Sequence, residues 1–322
     1  MCHGELGSSL ENEMGRGRYG SGRHTMYLSV LNFYSDPEEV FNLAGLLEGL
    51  DCFQRFWIGE HHSFGQVPDP LSLALLIASV TKRIRIGTGA VSLTFRNPYL
   101  VAETALMAEL FSPGRIDLGV TRASSVNDEM FELLTDGANH NRVTDDYDRR
   151  LRVLRNALAR DTDFKDLFLR GVLRRGPPLY LMGMSLDRAK QAGQMGLGFV
   201  TSFHHGGTVD SIREMLAAYH ASFLPSAIFE NPYTIVVASG YISDDPTRLQ
   251  SARDSEDKIK QRAAGIYLRH EMIFDAANPA AMRLRSMGAA VRTDEMMFLC
   301  TSEDCDPCYR ALAEGWGSTE PA

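Results

Sequence analysis

From residue 26 almost to the C-terminus, short apolar runs alternate with helix-like stretches, and no other feature limits the fold as strongly. The strand-like runs are Tyr27–Phe33, Phe53–Gly59, Ile84–Val91, Arg115–Val120, Leu179–Gly183, Leu197–Thr201, Tyr233–Ser239 and Met296–Cys300. Helix-like stretches separate them: Ser35–Leu50, Pro70–Thr81, Pro98–Ser112, Asp145–Arg160, Ser185–Met195, Val209–Phe223 and Pro246–Ala264, with Asp304–Glu314 after the last strand. This alternation predicts an α/β fold, a (β/α)8 barrel with one irregular insertion. A doubly wound open sheet satisfies the same pattern.

The 322 residues, 44% hydrophobic, suit a single barrel domain, which typically takes about 250 residues. Residues 1–25 are rich in Gly, Ser, Arg and Glu and lack a hydrophobic h-region. They are expected to be a disordered extension or tag, leaving 26–322 as the domain. No apolar run approaches the ~18 residues of a membrane helix. A net charge of −8 argues against nucleic acid and anionic membrane surfaces as partners. Five cysteines without a secretory signal fit a reducing cytoplasm. Cys300, Cys305 and Cys308 copy part of an iron–sulfur spacing but lack a fourth ligand nearby. They read as a core cysteine and two helix-opening residues, with a reactive thiol pair as the alternative.

The run Arg55-Phe-Trp-Ile-Gly-Glu-His-His62 ends on three ionisable side chains, Glu60, His61 and His62. A barrel delivers every strand's last residues to one rim, where chemistry takes place. The run Gly114–Ala123 likewise ends on Thr121 and Arg122, among small neighbours that leave room for a phosphate or carboxylate. Arg122 also reads as an ordinary surface residue. In Gly183-Met-Ser-Leu-Asp-Arg188, Ser185 stands at a strand-to-helix junction, where free N–H groups favour an anion. A simple capping role for Ser185 is the alternative. Gly87 and Gly89 permit close approach of a flat ligand. His61 and His62, with His204 and His205, leave open a rim metal site and hence a metallohydrolase.

Together these segments resemble the bacterial luciferase-like flavin-dependent monooxygenases. The resemblance is carried by Phe56–His62, Ile84–Ala90, Pro98–Glu103, Ser112–Arg122, Pro177–Leu186, Ala192–Ser202 and Thr293–Met297. It implies a TIM barrel, usually a homodimer, that binds reduced FMN (FMNH2) supplied by a separate flavin reductase. In such enzymes the flavin reacts with O2 to a C4a-peroxide, which oxygenates an organic small molecule, as in secondary metabolism. Residue by residue, the resemblance makes His61 the active-site acid/base, with Glu60 or His62 orienting it. Arg122 and Ser185 then bind phosphate, with Thr121 beside them. Arg188 departs from the family pattern, where a small or hydroxylated residue is common, and either adds a second guanidinium or reaches solvent. Gly89 and Ala90 underlie the isoalloxazine, in a segment that often holds a non-prolyl cis peptide.

Two rivals share the scaffold: an F420-dependent hydride-transfer oxidoreductase and a non-catalytic flavin-binding relative. The latter is favoured by an apparently short lid, because Ala264–Thr293 leaves little room before the last strand. The apolar content of Leu43–Leu50 and Leu71–Ala78 predicts a dimer formed through those two helices.

Overall fold

The computed structural model describes residues 26–33, 36–62, 67–122, 126–137, 146–159, 176–262, 271–302 and 304–318. The expected N-terminal extension, residues 1–25, lies outside them. Eight parallel strands close into a barrel: β1 (Tyr27–Asn32), β2 (Phe53–Ile58), β3 (Arg85–Ser92), β4 (Ile116–Thr121), β5 (Leu179–Met182), β6 (Gly198–Ser202), β7 (Thr234–Ile242) and β9 (Glu295–Cys300), which pairs back onto β1. A short β8 (Ile273–Asp275) adds to the end of β7. The (β/α)8 reading is therefore right, and the open-sheet alternative falls with the β1–β9 pairing.

Around the barrel lie α1 (Pro37–Glu48), α2 (Pro70–Val80), α3 (Pro98–Phe111), α4 (Asp128–Leu134), α5 (Tyr147–Ala159), α6 (Leu186–Gln194), α7 (Val209–Ser222), α8 (Pro246–Arg262), α9 (Ala277–Val291) and α10 (Asp306–Ser318). The first three start alike, with a side-chain cap followed by proline. Asp36, Asp69 and Asn97 accept hydrogen bonds from first-turn N–H groups. Proline's fixed φ and missing donor cost nothing at that position. Among the described residues, no helix is long and apolar enough to cross a membrane.

The expected helix from Pro246 is present as α8, but sequence reasoning missed one helix. It is α9, which covers the barrel between β7 and β9, packed between α7 and α10. Between β7 and α9 the described residues carry both α8 and β8, so the stretch there is not short. The buried face of α9 sets the small residues Ala277, Ala280, Ala281 and Gly288 beside Leu284, Met287 and Val291. Docking of β8 depends on Gly240, where a Cβ would overlap the Ile273 carbonyl.

Inside the barrel the N-terminal end is charged and the middle apolar. Asp117 accepts from Arg55 Nε at 3.1 Å and from Arg85 Nε and Nη2 at 2.7 Å each. Glu295 accepts from Arg55 and, at 2.8 Å, from the Tyr233 hydroxyl. Burial opposes ionisation of Asp117, but Arg85 and Arg55 hold its carboxyl below the usual carboxylate range. Above this plug, Leu31, Trp57, Tyr180, Val200, Ile235, Val237, Met297 and Leu299 form a separate core cluster. It supports the opposite rim.

Candidate active site

The rim is assembled strand by strand. Leaving β2, the chain passes Gly59, where a Cβ would collide with the Phe33 ring. Glu60 then turns inward and is almost fully buried, at 2% exposure. Its Oε1 lies 2.8 Å from His62 Nε2, and its Oε2 accepts from the Ser92 backbone N–H and Arg96 Nε, both at 3.2 Å. Glu60 thus ties the ends of β2 and β3 together and fixes His62. It does not orient His61, which corrects the expected pairing.

His61 is held by its backbone, whose N–H donates to the Val67 carbonyl at 2.8 Å. Its ring meets Phe33 edge to face, with centroids 5.4 Å apart. Its Nδ1 is buried and has no hydrogen-bond partner among the described residues. Burial, and then the neighbouring His62, lower its basicity, opposed only by Glu60. His61 is therefore a neutral imidazole at neutral pH, with a tautomer that no described residue fixes.

On β3, next in the barrel, the Gly89–Ala90 peptide is cis, and the β3–β4 register breaks between Thr88 and Val91. A Cβ on Gly89 would lie 3.0 Å from Leu31 Cδ1 and 3.2 Å from Trp57 Cβ. At Gly87 it would overlap the Trp57 ring, and at Gly119 the Thr88 carbonyl. The glycines thus let three strands and the indole close up into a thin floor beneath Ala90.

The next two strands end in a different chemistry. Thr121 closes β4 with its hydroxyl 3.5 Å from the Met182 carbonyl, and Arg122 follows it, exposed. Across from them Ser185 caps α6, accepting from the Arg188 N–H at 3.3 Å. The Arg188 guanidinium is already engaged: it donates to Asp148 and Gln191 and lies 4.8 Å from the centre of the Tyr147 ring. The Tyr147 hydroxyl is buried and has no hydrogen-bond partner among the described residues. Burial pushes its pKa up, while Arg188 and Arg122 act on it in the opposite sense. An anion bound there would meet a helix N-terminus, the Arg122 guanidinium, this hydroxyl and the Arg188 guanidinium, which is already paired with Asp148. Sequence reasoning missed Tyr147, which follows a long polar stretch and carries no local signal.

The far side of the rim is polar. His204 Nδ1 lies 2.7 Å from Ser239 Oγ, and His205 Nδ1 lies 3.0 Å from Ser202 Oγ. Among the described residues, no group of three or more His, Cys, Asp or Glu side chains is arranged to hold a metal ion. The reactive-thiol alternative is also corrected. Cys300 and Cys308 are buried, Cys308 Sγ accepts from the Ile242 N–H at 3.2 Å, and burial raises Cys300 and takes Cys305 to about 12. Cys300 and Cys305 stay protonated, and all three side chains pack into the core.

A family model described as "Luciferase-like monooxygenase" matches residues 17–304. The protein YwcH of Bacillus subtilis is 32% identical over 314 residues, covering 87% of this chain and 93% of that protein. The N-acetyl-S-alkylcysteine monooxygenase of the same organism is 29% identical over 229 residues, covering 68% and 66%. Among solved structures, apo-MsnO8 superposes with a TM-score of 0.79 at 25% identity, covering 92% of this chain and all (100%) of that one. Two more distant structures share the fold. The oxygenating constituent of 3,6-diketocamphane monooxygenase of Pseudomonas putida, in complex with FMN, has a TM-score of 0.62 at 13% identity, covering 89% and 96%. An F420-dependent secondary alcohol dehydrogenase with an F420-acetone adduct has a TM-score of 0.72 at 15% identity, covering 92% and 100%.

Proposed function

Because the chain belongs to the luciferase-like monooxygenase family, we propose that it uses reduced FMN and O2 to oxygenate an organic small molecule. The observation that carries the choice of FMN is the anion end of the site. The Tyr147 hydroxyl is buried and unpartnered beside Arg122, Arg188 and the Ser185-capped start of α6. The Arg122 guanidinium, a helix N-terminus and a hydroxyl suit a terminal phosphate, and Arg188 joins them by sharing its charge between the phosphate and Asp148. The phosphodiester of F420 carries a single charge and must continue onward into a further chain.

In this reading Arg122, Arg188, Thr121, Ser185 and Tyr147 hold the phosphate, and Gly89 and Ala90 support the flat ring system. Bound reduced flavin supplies the two electrons that activate O2. His61, neutral because it is buried beside His62, takes up or returns a proton at the substrate oxygen. Glu60 acts one step removed: it positions His62 and joins the ends of β2 and β3. Leu31 and Trp57 exclude water from below.

The non-catalytic reading rested on a short lid, and the presence of α8 and β8 between β7 and α9 speaks against it. Reduced flavin arrives by diffusion from a separate reductase. The free thiols of Cys52, Cys300, Cys305 and Cys308 fit a cytoplasmic setting. For the homodimer, the structure changes the expected face. The apolar side chains Val40, Leu43, Ala44 and Leu47 of α1 are buried within the chain, whereas Leu76 and Val80 of α2 and Leu100, Met107 and Phe111 of α3 are exposed. The α2–α3 face is therefore the proposed dimer contact.

The test pairs binding with product analysis. Purified protein should bind FMN in preference to F420 and consume O2 when given FMNH2. His61→Ala should keep FMN affinity within a few fold and lose product formation by ~10²-fold or more. Preference for F420, or full product formation by His61→Ala, would remove the reading.

A further inference from the structure

Four consecutive strand ends on one side of the mouth carry a row of rings. Phe33 follows β1, His61 and His62 follow β2, Phe95 closes the turn after β3, and Phe131 lies on α4 beyond β4. Phe33 meets His61 at 5.4 Å and 74°. His62 meets Phe95 at 6.0 Å and 84°, and Phe95 meets Phe131 at 5.6 Å and 78°. Phe33, Phe95 and Phe131 are all half-buried. The opposite rim, with Ser202, His204, His205 and Ser239, is polar and bonded to itself.

Charge on the aromatic side is already matched. The Arg96 guanidinium is shared among Glu60, Asp69 and the Pro68 carbonyl, and Glu60 is occupied by His62, Ser92 and Arg96. An anionic substrate would find no uncommitted cation among these residues. The group in the row that can exchange a proton without breaking a described side-chain hydrogen bond is His61, and burial keeps it neutral.

Resting on the reading of this rim as the active site, we infer that the substrate is an uncharged, planar fused-ring aromatic bearing a phenolic hydroxyl. Its rings pack against Phe33, Phe95 and Phe131, and its hydroxyl bonds to the His61 imidazole. Rings that already meet edge to face leave faces and edges for a further ring to join in the same geometry. A saturated chain of equal size gains the same apolar burial but none of the ring-to-ring attraction, a difference of about two- to tenfold per ring pair. A neutral imidazole pairs with a neutral hydroxyl without leaving a charge unmatched.

The test is calorimetric titration of the FMN-loaded protein with naphthol, its fully saturated counterpart decahydronaphthol, and methoxynaphthalene, in which the hydroxyl is masked. Naphthol should bind about tenfold or more tighter than decahydronaphthol. Methoxynaphthalene should also bind more weakly than naphthol, and His61→Ala should abolish that difference. Phe95→Leu and Phe131→Leu keep the apolar bulk, and each should weaken naphthol by about three- to tenfold while leaving decahydronaphthol within about twofold. FMN affinity, followed in parallel by its fluorescence, should not change in either variant. Equal binding of the saturated and aromatic compounds, or equal losses for both in the Leu variants, would overturn the inference. If FMN fails to bind but the protein still prefers naphthol, the cofactor assignment falls and the aromatic inference stands.

Discussion

Replacing Glu60 by Gln removes one charge with almost no change of shape, and the contacts around Glu60 determine the outcome. One oxygen faces His62 Nε2 at 2.8 Å, and the other faces two donors, the Ser92 N–H and Arg96 Nε, at 3.2 Å. An amide has only one acceptor oxygen. Turning its NH2 toward Ser92 and Arg96 would set donor against donor, so the oxygen must stay there and the NH2 must face His62. His62 Nε2 then has to accept, and the ring proton moves to Nδ1. The three bonds survive with a neutral amide in place of the carboxylate, at roughly half their former strength, a loss of about 1–3 kcal/mol. For a chain of this size that lowers the melting temperature by about 1.5–5 °C. Thermal unfolding reads the stability, and nitrogen chemical shifts of a histidine-labelled sample read the tautomer. An unchanged melting temperature together with an unchanged His62 tautomer would refute the reasoning.

Arg122→Ala should weaken FMN binding about tenfold or more, the scale of one lost charge-assisted bond, as read by fluorescence titration. Burial raises Glu109 from 4.5 to about 7, so its proton is held more firmly in the folded state than in the unfolded one. Its contribution to stability is therefore fully present below its unfolded value and is lost as pH rises from about 4.5 through about 7. In Glu109→Gln that part of the pH dependence should vanish from melting curves across the same window. Leu76→Glu with Phe111→Glu should yield a monomer by light scattering with flavin affinity intact, because both side chains are exposed on the α2–α3 face.

The strands are legible in the sequence because most barrel strands are covered on both faces and read as apolar runs between turn signals. The stretch β2 to Glu60 is an example: Phe56, Trp57 and Ile58 are buried, and the polar residues come where the strand stops. Within Glu60-His61-His62, pairing by adjacency gives the wrong partner. Residues two apart on an extended chain share a face, which is why Glu60 reaches His62 and not His61. That signal is present in the sequence. The α9 helix is harder, since its first two turns bury only Ala277, Ala280 and Ala281 and the larger Leu284, Met287 and Val291 come later, and a short β8 held by Gly240 has no pattern of its own. The charged plug is also invisible, because Arg55, Arg85, Asp117 and Glu295 come from four separate strands and meet only when the barrel closes. Arg122, Ser185 and Tyr147 likewise come together only through the β4–β5 pairing and the packing of α5.

Reduced FMN mixed with the protein under anaerobic conditions and then exposed to O2 tests the cofactor assignment most directly. The protein should bind reduced FMN and reoxidise it at a rate different from that of free flavin, with Arg122→Ala shifting the rate toward the free value. Reoxidation identical to that of free flavin at saturating protein, with tight binding of reduced F420 in its place, would contradict it.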